Sequence, residues 1–381
     1  MNEKFEIIDG TRDGAIIKVI GVGGGGSNTV NQMVEAGIEG VEFICSNTDA
    51  QHLDMCKADV LLPLGANVTR GLGAGADPVI GKQAAMEDRE RIREALHGAD
   101  MLFITAGMGG GTGTGAAPVV AEVAKEMQIL TVAVVTKPFS FERAKRMEIA
   151  MQGIQELSQY VDSLIVIPNE KLFQLGKGIT LKSAFKAAND VLQNAVQGIA
   201  DLITRPGLIN VDFADVRRVM SIQGMAMMGL GAARGDNRAQ VAAQTALASP
   251  LLEDLDLTGA QGVLVNVTSD ENLTQEEFKI INELIAERAR PDAWMIVGTA
   301  FEPSLEDEIR VTVVATGLGS LNKLAAMPAK PPRRPDGTLD IKKIEKPSFV
   351  RRPERPHATE GANALDLDYL DVPAFLRHQA D

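Results

Sequence analysis

Two glycine runs constrain this chain more than any other feature. Gly21 to Asn28 reads GVGGGGSN and continues the apolar run AIIKVI; Gly107 to Pro118 reads GMGGGTGTGAAP and follows MLFITA directly. Glycine inside a regular element costs about 0.5 to 1 kcal/mol relative to alanine, because it loses more conformational freedom on folding than any other residue. Runs this costly, each set between a strand-like and a helix-like segment, point to bare backbone required by a ligand. The second run leads into AAPVVAEVAKEM, a helix with Pro118 expected in its first turn. Helix N-termini present unpaired N–H groups and about half a positive charge, so both loops favour phosphate.

The flanking segments predict how the loops are held. From Ala15 to about Ile167 the short apolar runs AIIKVIGV, VEFICS, ADVLLPL, DMLFITA, ILTVAVV and DSLIVIP alternate with helix-like stretches. Strands covered by helices on both faces read as continuous apolar runs, which predicts an α/β fold with a doubly wound, mainly parallel sheet. Ligands of such sheets bind beyond the carboxyl ends of the strands. From Thr180 to Thr204, Phe185, Leu192, Ala195, Val196, Ile199, Leu202 and Ile203 recur near a 3.6-residue period, predicting a long central helix that ends at Arg205-Pro206-Gly207. GVLVNVTS, AWMIVGTAF and IRVTVVATG, around the helix TQEEFKIINELIAERA, predict a second, smaller α+β domain. The expected organisation is a nucleotide-binding domain over 1–179, a connecting helix over 180–204 and an α+β domain over 205–319.

Composition changes at Ser320. Residues 320–364 hold seven prolines and ten Lys/Arg against five Asp/Glu, with no apolar periodicity, and are expected to form a disordered linker. Residues 365–381 turn apolar again, with Tyr369, Leu370, Val372, Phe375 and Leu376, as a partner-binding peptide would. The whole chain has a formal net charge of -13, which argues against nucleic acid as a main partner. Cys45 and Cys56 make no disulfide scaffold, and four scattered histidines offer no metal-ligand spacing. The N-terminus lacks a signal-peptide pattern and no apolar run approaches the roughly 18 residues of a membrane span, so a cytoplasmic place without membrane insertion is expected.

The first run formally contains G-x-G-x-x-G at Gly21, Gly23 and Gly26, with Asp49 placed to hold a ribose, as in an NAD(P)-dependent oxidoreductase. That alternative has no use for the second run. No Walker A lysine exists: GADPVIGKQ has the wrong glycine spacing and Gln83 where Ser or Thr would bind magnesium. Phosphate neutralisation must come from amides, helix dipoles, a metal ion and an arginine.

Seven segments in order, GVGGGGSN, NTDAQ (Asn47–Gln51), GGGTGTG (Gly109–Gly115), TKPFSFE (Thr136–Glu142), AAND (Ala187–Asp190), NVDFADV (Asn210–Val216) and DYLDVPAFLR, make the chain resemble the tubulin/FtsZ GTPase family over nearly its whole length. The resemblance implies a tubulin-like fold, GTP and GDP as substrate and product, and Mg2+ bound mainly through phosphate oxygens. It assigns Gly24, Gly25, Gly26, Ser27 and Asn28 to the first nucleotide loop, and Gly111, Thr112 and Gly113 to the second. Glu142 and Arg146 would touch ribose and phosphate, and Phe185 with Asn189 would meet guanine, Asp190 being the rival of Asn189. Asn210, Asp212 and Asp215 would form a catalytic loop that completes the site of the next subunit, giving hydrolysis only in a head-to-tail homopolymer. That polymer would be the bacterial division ring at midcell on the inner face of the membrane, tied to division-site regulators. Residues 368–381 would bind membrane-tethering division proteins such as FtsA and ZipA.

By themselves the residues leave alternatives. Asp212 before FADVRRV is also what a helix N-cap looks like, Phe185 also fits a core, and Glu142 with Arg146 also fits a surface ion pair. A filament protein that binds nucleotide without hydrolysing it is a further alternative. The helix fixes one expectation independently: 25 residues from Thr180 to Thr204 span on the order of 37 Å, so Asp212 and Asp215 lie remote from their own chain's glycine loops.

Overall fold

The computed structural model describes residues 14–172, 180–205, 207–209, 211–252 and 259–318. Asn210, the 320–364 segment and the 365–381 peptide therefore lie outside the described residues. Ten strands join in one sheet: β1 (Ile17–Val22), β2 (Val41–Asn47), β3 (Val60–Pro63), β4 (Met101–Gly107), β5 (Leu130–Lys137), β6 (Ser163–Pro168), β7 (Met225–Arg234), β8 (Gly262–Ser269), β9 (Trp294–Phe301) and β10 (Glu308–Leu318). Their spatial order is β3-β2-β1-β4-β5-β6-β7-β10-β8-β9. The first seven in that order pair in parallel, and β10 runs antiparallel to both β7 and β8.

The six runs expected to be strands in the first half are β1 to β6. Each is apolar because both faces are covered. On β1, Ile17 and Val19 pack with Val30 and Met33 of α1 (Gly23–Glu35), while Ile20 and Val22 pack with the other face's helices. Those helices are α2 (Pro78–Glu87), α3 (Thr112–Glu126) and α4 (Ala144–Leu157). The long helix is α5 (Leu181–Thr204), capped by Thr180, whose hydroxyl accepts from Ser183 N at 3.2 Å. Leu192, Ala195, Val196 and Ile199 of α5 lie in the same core as Val30 and Met33 of α1. A short helix, α6 (Phe213–Met220), follows α5.

The second half differs from its sequence reading in one respect. Its strands continue the first sheet through β7, which joins β6 at only Leu164↔Met225 and Ile165↔Ala226. MAMMGLGAAR has no β-branched residue, because α7 (Arg238–Leu247) lies almost on the strand. A Cβ on Gly229 or Gly231 would come within 2.1 Å of Ala246 O or 2.0 Å of Ala242 O. Close helix approach, not β-propensity, selected these residues, so the strand is invisible to propensity. The helix expected from TQEEFKIINELIAERA is α8 (Gln275–Ala286), opened by a capping box between Thr274 and Glu277.

Candidate functional site

Strand order reverses between β1 and β4, and there a doubly wound sheet opens a crevice at its carboxyl edge. Both glycine runs sit at this point, because Gly21 pairs with Thr105 and Val22 with Ala106. Each run winds into its helix at once. α1 begins at Gly23, whose φ is +71°, and α3 begins at Thr112. Neither N-terminus has a side-chain cap or an acidic residue in its first turn, so the amides remain for a ligand. Pro118 is thus the seventh residue of α3 rather than part of its first turn, since the loop supplies that turn.

A cavity of about 390 Å³ lies between the loops, within the range of ligand pockets. Gly24, Gly25, Asn28, Gly111, Thr112, Gly113, Glu142, Arg146 and Phe185 line it. Gly26, Ser27 and Asn189 do not. The helix explains the split: Gly24 and Asn28 share a face at i, i+4, whereas Gly26 and Ser27 turn to the sheet and are buried. A Cβ on Gly26 would stand 2.2 Å from Thr105 O, and one on Gly113 2.6 Å from Gly107 O. These glycines let the loops pack together. Gly24 and Gly110 instead face the cavity, where the nearest atoms to an added Cβ are 3.6 and 4.0 Å away. A Cβ on Gly111 would likewise stand 2.8 Å from Ala74 Cβ, so the expectation that a bulky residue at Gly111 or Gly113 abolishes binding without disturbing the fold does not hold: either would upset packing as well.

Glu142 and Arg146 form an ion pair at 2.8 Å, and Glu142 Oε1 also accepts from Phe139 N at 2.9 Å. Phe185, 43% exposed, meets Phe139 edge to face at 5.3 Å, and Phe139 stacks on Phe141 at 4.9 Å. This gives the cavity an aromatic wall. Asn189, one turn further along α5, accepts from Thr29 Oγ1 at 3.2 Å, and Asp190 accepts from Gln32 Nε2. Both amide and acid are thereby tied to α1.

Several lining residues escaped the sequence reading: Gly107, Gly110, Thr136, Pro138 and Asn169. Asn169 is buried, and its Oδ1 has no hydrogen-bond partner, as suits an acceptor held for a ligand donor. It directly follows β6, so the rule that ligands sit beyond strand ends would have found it. Asp49, the ribose acid of the oxidoreductase alternative, instead accepts from His52 N at 3.1 Å and does not line the cavity.

Asp212 caps α6, its Oδ1 accepting from Asp215 N at 2.8 Å. Both carboxylates are exposed beyond the far end of α5, and neither lines the cavity. The 24 residues of α5 span on the order of 36 Å.

A slightly larger cavity, about 430 Å³, lies between α5 and strands β7 and β10. Asp201, Glu302 and Arg310 stand in its wall, and neither glycine run reaches it. Asp201 lies in it, and burial pushes its carboxyl up from 3.8 to about 6 despite the nearby Arg205 guanidinium. Arg205 Nε stands 3.1 Å from Asp201 Oδ1 as an ion pair, but that oxygen accepts no aligned hydrogen bond. The folded chain thus carries a costly charge above about pH 6, whereas below 3.8 folded and unfolded states are both protonated. The stability tied to this group is fully present below 3.8 and lost as pH rises through about 6. Asp201→Asn is therefore expected to melt at a temperature that rises relative to the unsubstituted protein between pH 5 and pH 7.5. Melting curves at the two pH values check this, and a difference independent of pH counts against it.

A crevice at the switch point of a doubly wound sheet, walled by two uncapped helix N-termini and an aromatic ring, defines a nucleotide-binding protein. The chain belongs to the tubulin/FtsZ family: residues 16–177 match the Tubulin/FtsZ family GTPase domain and residues 224–319 the FtsZ family C-terminal domain. It is 58% identical to the cell division protein FtsZ of Coxiella burnetii over 380 residues, covering 98% of each chain. It is 54% identical to that of Pseudomonas aeruginosa, covering 99% of this chain and all of the relative. Among solved structures it is similar to an empty FtsZ dimer of M. jannaschii, with a TM-score of 0.77 and 50% identity over 81% of this chain and 89% of that one. Among the described residues no helix is long and apolar enough to cross a membrane.

Proposed function

We propose that the chain binds GTP in the cavity between the two glycine loops and hydrolyses it to GDP when a second copy of the chain supplies Asp212 and Asp215. The carrying observation is the acid inventory of the cavity. Among the described residues that line it, the one carboxylate is Glu142, already held by Arg146 and Phe139 N. A water attacking the γ-phosphate needs an orienting base within hydrogen-bond reach, and this chain keeps its exposed pair at the other end of α5. In that arrangement Asp212 fixes the first turn of α6 and Asp215 faces the water; the resemblance adds Asn210, which lies outside the described residues, to the same role.

On this reading the phosphates lie on the amides of Gly24, Gly25 and Gly111 to Gly113, and guanine lies against Phe185, near Asn189. Ser27 and Gly26 act through the shape of the loop. Among the described residues no three His, Cys, Asp or Glu side chains gather to hold a metal ion. The Mg2+ that the resemblance implies would bind mainly through phosphate oxygens and would supply charge neutralisation there. A contact joining one end of the chain to the other end of the next is heterologous and does not close, so it propagates as a filament. Filaments suit the division role named for the relatives, and the same reading keeps residues 1–179, 180–204 and 205–319 as binding domain, connecting helix and catalytic-loop domain. FtsA, ZipA and division-site regulators remain partners by family likeness, as does assembly at midcell.

Phosphate release measured across a dilution series tests the reading. Turnover per molecule is expected to be negligible at the lowest concentrations and to rise steeply above a threshold, with GTP and not with ATP. A rate proportional to concentration from the lowest dilution would mean that each chain completes its own site.

A further inference from the structure

His52 takes no part in the site as described so far. It lies on the short helix Ala50–Leu53 that follows β2, with its ring against the first glycine loop: an added Cβ on Gly24 would stand 3.6 Å from His52 Cε1 and 3.8 Å from Nδ1. Both ring nitrogens are engaged. Nδ1 is 2.9 Å from Asn47 Nδ2, and Nε2 is 3.1 Å from Asn28 Oδ1.

The direction of these bonds follows from their far end. Asn47 Oδ1 accepts from the backbone N of Asp49 at 3.3 Å, a group that can only donate. Asn47 must then offer its NH2 to His52, so Nδ1 accepts and the ring proton resides on Nε2. That proton is donated to Asn28 Oδ1. With its oxygen committed, Asn28 presents its NH2 group, a donor, to the cavity it lines.

We propose that His52 is a positioning residue for the nucleotide: through the one-way chain Asp49–Asn47–His52–Asn28 it fixes the Asn28 amide with its donor face toward the oxygens of a bound nucleotide. Without the imidazole Nε2–H, Asn28 is free to turn over and offer its oxygen, which repels phosphate and leaves a ribose or phosphate oxygen without its donor. The chain begins at the end of β2 and ends on α1, so it also ties the register of two strand-end segments to the orientation of one amide. The proposal rests on the cavity being the nucleotide site.

Dissociation constants for GDP, measured on protein diluted below any assembly, test it. A Gln side chain places its NH2 near the position of Nε2, whereas Asn reproduces only the Nδ1 position. His52→Gln is expected to bind GDP within about twofold of the unsubstituted chain, and His52→Asn and His52→Ala about five- to tenfold more weakly, the range of one hydrogen bond. In an Asn28→Ala background the loss caused by His52→Asn should vanish, because the two residues act through one contact. Ring 15N shifts of His52 in the free protein should report the Nε2–H tautomer. Equal losses for Gln and Asn, full additivity with Asn28→Ala, or an Nδ1–H tautomer would each overturn the proposal. Failure of the unsubstituted chain to bind GDP would instead overturn the assignment of the cavity.

Discussion

A mixture of two inactive variants, Asp215→Ala and Gly110→Asp, is expected to hydrolyse GTP. Asp215→Ala keeps every residue of the cavity and should bind GTP normally, yet turn it over at least about a hundredfold more slowly, the low end of what a positioned acid–base group contributes. Gly110→Asp keeps the α6 loop but sets a carboxylate in the phosphate cavity. In a filament built at random from equal parts, roughly a quarter of head-to-tail junctions pair an intact cavity with an intact loop. Activity should return to about that share of the unsubstituted rate. Phosphate release from the mixture, with sedimentation confirming that both chains enter the polymer, decides the matter. Co-sedimentation without activity would show that the two halves do not meet across a junction.

The second large effect separates the two kinds of glycine in the loops. Gly110→Asp should abolish GTP binding while leaving the melting temperature within a degree or two, since its Cβ enters open space and only Arg146 Nη2 comes within 4.0 Å. The new carboxylate repels phosphate and draws Arg146 away from it. Gly26→Ala adds only a methyl group, but that methyl has to stand 2.2 Å from Thr105 O. Overpacking of this kind costs about 1 to 3 kcal/mol or more, and in a chain this large each kcal/mol lowers the melting temperature by roughly 2 to 4 °C. Paired calorimetric and nucleotide-binding measurements check both. If Gly26→Ala melted like the unsubstituted chain, the packing role given to that glycine would be wrong.

Much of this was legible in the sequence. Six buried parallel strands announce themselves as apolar runs because helices cover both of their faces, and the period of α5 is plain because one stripe of it lies in the core. Two glycine runs after two strands located the crevice. What the sequence could not separate was the function of individual glycines, since GGGG is uniform in letters while the helix it forms turns Gly24 to the cavity and Gly26 to the sheet. Strand β7 was missed because its composition answers to α7 rather than to the pleat. Asn169 and His52 were missed because each matters only through a partner far along the chain: an open cavity for one, Asn28 for the other. The start of α3 was misplaced for a related reason, as glycines that disfavour a helix are held in one by what they face.

The order in which the last strands are laid down has a consequence for the chain as it is made. β10, the final strand described, lies between β7 and β8, and its long register with each supplies their only described partner on that side. During synthesis β1 to β6 can pair as they emerge, but β7 and β8 keep open edges until residue 318 has left the ribosome. Unpaired edges of apolar strands invite pairing with other chains. The growing chain therefore carries one adhesive edge from the completion of β7 and a second from the completion of β8, and the single strand β10 seals both at once.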